Sequence, residues 1–154
     1  MNTDTSFVVV RADASDAQAL APVFEAYRAF YKKPADKAGA EQFLEDRLSR
    51  NEAVVFLARR DGVIVGFTLL YPVFSSARLG SLWLLNDLYV MSEARRSGIG
   101  RRLLAAARIF AEGTGAIGLT LRTALDNAAA QELYEKSGYE RNDNFYTYDL
   151  HVER

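Results

Sequence analysis

Hydrophobic and polar positions change their period along the chain, and each change marks an element. Phe7 to Arg11 reads as a short strand. Ser15-Asp16-Ala17-Gln18 has the pattern of a capping box, which supplies partners to the first orphan amides of a helix. Leu20, Val23, Phe24, Tyr27, Phe30 and Tyr31 follow at helical spacing. Pro22 interrupts that helix, because an interior proline removes a hydrogen bond, so a kink or a later start is expected. Gly39 to Arg50 predicts a second helix with Phe43, Leu44 and Leu48 inward.

Strand patterns then crowd together: Ala53 to Arg59, a turn at Asp61-Gly62, Val63 to Tyr71, and Leu82 to Met91. From Gly98 the period is helical again, with Ile99, Leu103, Ala106, Ala107 and Phe110 on one face until Gly113-Thr114-Gly115. Leu119, Leu121, Thr123 and Leu125 alternate as a strand. Asp126-Asn127 caps a last helix carrying Ala130, Leu133 and Tyr134 and ending at Ser137-Gly138. Tyr146, Tyr148, Leu150 and Val152 alternate as a final strand. The order predicts an α/β (α+β) fold, a mixed central sheet of six to seven strands flanked by about four helices. With no repeat, linker or low-complexity tract, residues 1–154 read as a single domain.

Composition narrows the chemistry. The chain has no cysteine, which removes thiol nucleophiles, disulfides, iron–sulfur clusters and thiolate zinc sites. A single histidine, His151, leaves no multi-histidine metal site, so no metal is expected. Catalysis must rest on carboxylates, tyrosines, backbone amides or a cofactor. Nineteen basic and 20 acidic side chains give a net charge of -1, which argues against nucleic acid or an anionic membrane as partner. The N-terminal MNTDTSFVVV lacks a positive n-region, and the uncharged stretch from Val63 to Ala77 is too short and interrupted to span a bilayer. A cytoplasmic location is the expectation.

One segment stands out. The strand Leu85-Asn86-Asp87-Leu88-Tyr89-Val90 is followed by Arg95-Arg96-Ser97-Gly98-Ile99-Gly100-Arg101, a glycine-spaced turn opening a helix. Orphan amides at a helix start point outward with the positive end of the macrodipole and can receive an anion. The spacing fits neither a P-loop nor the dinucleotide fingerprint. Alone, the turn is equally well met by a glycine turn with solvated arginines.

Its context resembles the GNAT superfamily of N-acetyltransferases, whose pyrophosphate motif is Arg/Gln-x-x-Gly-x-Gly/Ala after the fourth strand. Arg95, Gly98 and Gly100 match it, and the family's downstream signature recurs from Asn127 through Tyr134 to Tyr139. The element order matches that fold over nearly the whole chain. Within the superfamily the run from Leu85 into the arginine-glycine turn is most similar to diamine acetyltransferases and to related enzymes acting on polyamines and basic proteins.

The resemblance implies direct transfer of an acetyl group from acetyl-CoA to a primary amine of a small molecule, polyamine or amino-acid-like. A protein or peptide amine is the alternative acceptor, and a non-catalytic acyl-CoA-binding module the alternative of another class. Backbone amides at a strand bulge, mapping to Leu88, Tyr89 and Val90, would grip the pantetheine and polarise the thioester carbonyl. The amides of Arg96, Ser97, Gly98, Ile99, Gly100 and Arg101 would hold the pyrophosphate, helped by the Arg95 and Arg96 side chains. Asn127 would bind the pantetheine arm, with Ala130 close to the cofactor. Tyr134 would be the general acid, since a phenol of pKa about 10 is protonated at neutral pH; taken without the motif, it reads as a core aromatic.

Where diamine acetyltransferases carry a glutamate before the aspartate of the fourth strand, this chain has Asn86-Asp87. Asn86 cannot be a base; either it orients a water, or the substrate loses its proton to solvent through a water chain. Alternation places Asp87 on the opposite face, and the base stays unassigned. Tyr27, Tyr31 and Asn86 are the candidate substrate contacts, with Lys32 to Lys37 beside them. A homodimer is a further implication of the resemblance.

Overall fold

The computed structural model describes residues 6–154, which form two compact units divided between Arg122 and Thr123. Met1–Thr5, half of the N-terminal stretch considered above for a leader, lie outside the described residues.

The first unit is built on one five-stranded sheet in the order β1 (Val8–Arg11), β2 (Val54–Arg60), β3 (Val63–Ser75), β4 (Gly80–Val90) and β5 (Gly118–Thr120). The first four are antiparallel neighbours; β5 runs parallel to β4 after a crossover through α3 (Ile99–Gly113). Helices α1 (Ala17–Phe30) and α2 (Lys37–Ser49) cover one face. Their Leu20, Val23, Phe24 and Leu44 pack with Val55, Leu57, Phe67 and Leu69 of the sheet in the main core. Strand alternation sends Phe56 to the other face, where it meets Phe110 of α3 at 5.8 Å between centroids.

Gly66 lets α3 come this close. A Cβ there would lie 3.0 Å from the Tyr89 carbonyl oxygen and 3.2 Å from Ile99 Cγ2.

Local signals were mostly where the pattern put them, with shifts that have physical causes. The capping box is made by Asp13 and Asp16, not Ser15 and Gln18: Asp13 accepts from the Ser15 amide at 2.8 Å and Asp16 from the Asp13 amide at 2.9 Å. The helix begins later than Ser15, at Ala17, after a 3-10 turn. Pro22 is an exposed residue inside it, where the missing donor faces solvent. Strand β3 runs past Tyr71 through Pro72, because β2 ends opposite Leu70 and leaves β4 as its neighbour there.

The sheet has five strands rather than six to seven. The fifth keeps only Gly118–Thr120 of the alternation expected to reach Leu125, because its register with β4 covers three pairs. Residues 140–154, expected to hold the last strand at Tyr146–Val152, form no ladder, and alternation without a hydrogen-bonding neighbour does not make a strand. In the second unit α4 (Ala128–Lys136) begins and ends as its caps predict: the Asn127 carbonyl oxygen of the side chain accepts from the Ala130 amide at 3.2 Å, and Gly138 follows with a φ of 94°. Among the described residues no helix is long and apolar enough to cross a membrane, and no cluster of three metal-ligating side chains forms.

Candidate functional site

The register of β3 against β4 slips once. Leu69 pairs with Asp87 and Leu70 with Leu85, leaving Asn86 as the extra residue of a bulge. The bulge expected across Leu88–Val90 is therefore earlier, at Asn86. A one-residue slip exchanges the faces of a strand. Leu85 follows Leu70 onto the α3 side, whereas Asp87, only two residues on, follows Leu69 toward α1.

That turn buries a carboxylate. Asp87 is 4% exposed. Asn86, itself exposed, donates its side-chain amide to Asp87 Oδ1 at 3.0 Å, so the two neighbouring side chains meet at the bulge. The Tyr27 hydroxyl, on α1, interacts with the same carboxylate. Burial pushes the Asp87 pKa up, and these two hydrogen bonds only partly offset it. Burial and then the Asp87 charge push the Tyr27 phenol well above its ordinary range, and the same causes push Tyr71 up to about 12. Both phenols keep their protons across the physiological range.

Beyond the bulge β4 offers a second kind of group. Met91 N–H donates to the Val65 carbonyl at 2.8 Å, and hydrogen-bonded pairs alternate along an antiparallel ladder. Tyr89 therefore directs its N–H to β3, while Leu88 and Val90 direct theirs to the other edge. There β5 pairs only with Leu82 to Leu84. Of the three amides expected to serve the thioester, the register turns Leu88 and Val90 to that edge and keeps Tyr89 in the ladder.

The turn after β4 is shaped by two positive φ values, 62° at Arg96 and 85° at Gly98. Gly98 is the N-cap of α3 and has no side chain to cap it, and the first amide to find a helical acceptor is that of Arg102, bonded to Gly98 C=O at 3.1 Å. The amides of Ile99, Gly100 and Arg101 belong to the first, orphan turn and point at the solvent around Arg96 and Arg101, both exposed. Ser97 is committed to the turn itself, donating to the Ala94 carbonyl. Arg95 is drawn back to the strand: its Nε donates to the Val90 carbonyl at 2.9 Å and its guanidinium lies 5.4 Å over the Tyr89 ring.

Of the candidate substrate residues, Tyr27 and Tyr31 touch ring to ring at 5.1 Å between centroids, and Tyr27 also meets Tyr89 at 6.1 Å. Phe30 joins Tyr31 at 5.3 Å and Tyr89 at 6.4 Å, so an aromatic wall links α1 to the end of β4 beside Asp87. Lys32 to Lys37 form the exposed connection to α2 and its first residue.

In the second unit the Asn127 side-chain oxygen is used by its own helix cap, which leaves its amide nitrogen as the group to serve a ligand. Ala130 and Tyr134 follow at three and seven residues, on the same side of α4. Tyr134 lies against Tyr139 at 5.9 Å between centroids.

Asp87 was missed as a site residue because strict alternation misplaces it. The signal was present: adjacent Asn86 and Asp87, poor strand formers, interrupt the run Leu84-Leu85 to Leu88-Tyr89-Val90.

A model of the acetyltransferase (GNAT) family matches residues 20–139. The chain is 46% identical over 142 residues to an N-acetyltransferase, YhfO, of Bacillus subtilis, covering 92% of this chain and 95% of that one. It is 31% identical over 100 residues to an aminoglycoside N(6')-acetyltransferase type 1 of Klebsiella aerogenes, covering 64% of this chain and 66% of that protein. A crystal structure of a probable acetyltransferase superposes with a TM-score of 0.89 at 38% identity, covering 96% of this chain and 99% of that one. The strand that runs into the uncapped, glycine-opened helix lies within the matched residues, and the chain belongs to the acetyltransferase (GNAT) family.

Proposed function

We propose that the protein transfers the acetyl group of acetyl-CoA directly to a small primary amine, with Asp87 as the terminal proton acceptor and Tyr27 as the group that carries the proton to it. The observation behind this reading is the bulge at Asn86, which puts a buried carboxylate and the outward amides of Leu88 and Val90 on the same few residues of β4. An amine arrives as ammonium, with a pKa of about 10.4 for a lysine-like group, and must lose a proton as its nitrogen bonds to the acetyl carbon. Asp87 is too buried to meet solvent, and its Asn86 partner has an amide nitrogen that cannot accept a proton. The Tyr27 hydroxyl can accept from the amine while donating to Asp87.

At the other end of the reaction, carbonyl oxygen charge develops and the C–S bond breaks. Outward N–H groups of Leu88 and Val90 suit the first need. The amides of Gly98 to Arg101, with Arg95 and Arg96, suit the pyrophosphate of the coenzyme. By their places in the family motif, Asn127 and Ala130 line the pantetheine and Tyr134 returns a proton to the thiolate. No covalent enzyme intermediate on cysteine is open to a chain without that residue.

A homodimer belongs to the same proposal as an implication of the family likeness, and sedimentation checks it. The catalytic reading is tested by thiol release from acetyl-CoA over a panel of primary amines. Amine-dependent release is expected. Binding of acetyl-CoA with no release on any amine would leave the acyl-CoA-binding module in its place.

A further inference from the structure

The 19 basic side chains are unevenly divided by type. Only four are lysines, and three of them, Lys32, Lys33 and Lys37, fall in the connection between α1 and α2 and at the first residue of α2. That connection is held in place. Lys32 has a φ of 58° and turns the chain back, its N–H donating to the Ala29 carbonyl at 2.9 Å and that of Lys33 to the Arg28 carbonyl at 3.0 Å. Arg28 Nη1 donates to the Pro34 carbonyl at 3.0 Å, and Glu25, paired with Arg28, accepts from the Asp36 N–H at 2.7 Å. Asp36 in turn accepts from the Gly39 amide at 2.9 Å. Both carboxylates are thereby engaged, and among the described residues the three lysines form no salt bridge; Lys136, by contrast, pairs with Glu132 at 2.7 Å. Every residue from 31 to 39 is exposed. The backbone of this segment is fixed while its amines are free. It begins at Tyr31, whose ring meets that of Tyr27 beside Asp87.

We propose that Lys32 and Lys33 are modification sites, acetylated by a second copy of this chain; the proposal rests on the reading of Asp87 and Tyr27 above. A lysine side chain is a primary amine on a flexible stem, the class of acceptor which that reading requires. The ties to Glu25 and Arg28 hold the connection against the last turns of α1, and a segment exposed over its whole length is presented to another molecule. In the step, the lysine ammonium loses one proton through the Tyr27 hydroxyl to Asp87 of the acetylating copy, and its Nζ bonds to the acetyl carbon. The C–S bond breaks and the nitrogen gives up a second proton as the thiolate takes one. Acetyl-lysine, coenzyme A and one proton result. Each transfer removes a positive charge from the connection.

The test mixes two full-length chains with acetyl-CoA: unlabelled wild type, and an Asp87→Asn variant labelled with heavy nitrogen, which supplies the lysines but not the base. Peptide mass spectrometry reads acetylation at each lysine of the heavy chain. Lys32 and Lys33 should be acetylated at least about tenfold faster than when the variant is alone, and at least about tenfold faster than Lys136 of the same chain. The rate should rise in proportion to the wild-type concentration. Circular dichroism checks that the variant is folded, and a heavy Tyr27→Phe chain serves as a second acceptor. Thiol release with n-butylamine is measured on the same wild type. Butylamine turnover without acetylation of Lys32 or Lys33 overturns the proposal and leaves the acetyltransferase reading standing. So does acetylation confined to the unlabelled chain, or Lys136 acetylated as fast as Lys32 and Lys33, the pattern of direct reaction with acetyl-CoA. Absence of thiol release on butylamine and every other primary amine removes the underlying reading as well.

Discussion

Replacing Asp87 by asparagine separates chemistry from folding at the bulge. The amide has nearly the shape of the carboxylate and can still accept from Asn86, while its nitrogen donates to the Tyr27 oxygen. It cannot take a proton. The variant must then wait for amine that is already neutral. With an amine pKa of about 10.4, that is about one molecule in a thousand at pH 7.4. The expected kcat/KM is therefore lower by about 10³-fold at that pH, within the range of about 10²–10⁴ that general bases supply. The loss should shrink about tenfold for each pH unit gained, because the neutral fraction grows at that rate.

Stability moves the other way. Burial raises the Asp87 pKa above its ordinary 3.8, so the folded protein holds a proton that the unfolded chain has released over the window between the two values. Wild-type stability falls as pH climbs through that window and is level above it. The Asp87→Asn variant has no such slope. Its melting temperature should exceed that of the wild type by an amount that grows above pH 4 and then stays constant. Thiol release between pH 6.5 and 9 measures the first effect, and thermal melts from about pH 4 upward measure the second. A loss that does not vary with pH would mean that Asp87 only shapes the bulge, and a loss under threefold at pH 7.4 would remove it from proton transfer.

Further outcomes follow from the same geometry. Tyr27→Phe keeps the ring contacts with Phe67, Tyr31 and Tyr89 but deletes the relay, so kcat should fall with a pH dependence parallel to that of Asp87→Asn while the melting temperature stays within a few degrees. Tyr134→Phe should lower kcat by about 10²-fold and leave acetyl-CoA affinity, measured by calorimetry, nearly unchanged. Gly98→Ala meets nothing within 4 Å, so its cost is the left-handed backbone alone, about 1–2 kcal/mol, read as a lower melting temperature and a raised KM for acetyl-CoA. Gly66→Ala would press a methyl on the Tyr89 carbonyl at 3.0 Å and on Ile99 at 3.2 Å; a loss of about 1–3 kcal/mol in chemical denaturation is expected.

The sequence made the scaffold legible wherever a local rule decides the outcome. Asn127 caps α4 as read, Gly98 opens α3, and the helical stripe of α1 presents Leu20, Val23 and Phe24 to the core. The candidate anion site was legible for the same reason, since it depends on a run of seven residues. What escaped depends on pairing. The bulge is a property of two strands, and neither Leu69-Leu70 nor Leu85-Asn86-Asp87 alone states where the register slips. Alternation counted through Asn86 misplaces everything beyond it by one face. The strand expected at Leu119–Leu125 stops at Thr120, and that expected at Tyr146–Val152 does not form, for a related reason: alternating residues describe a face, and only a neighbour's hydrogen bonds complete a strand.

The slip also answers the problem posed by the missing glutamate. Asn86 stands where a base was expected, and it contributes no proton acceptor. As the extra residue of the bulge, however, it rotates the next residue inward, so the carboxylate the chemistry needs is supplied by Asp87 from beneath α1. An aspartate is one methylene shorter than a glutamate and here lies at 4% exposure, out of direct reach of solvent. The hydroxyl of Tyr27, at the far end of a rigid ring, restores the reach. This couples the choice of base to the helix that carries the aromatic wall. A glutamate introduced at Asn86 should therefore fail to rescue Asp87→Asn while Tyr27 is present, because it would point from the bulge toward solvent, as Asn86 does. Restored turnover in the Asn86→Glu, Asp87→Asn pair, measured by thiol release at pH 7.4, would show instead that the exposed side of β4 can host the base and that the buried carboxylate serves the fold.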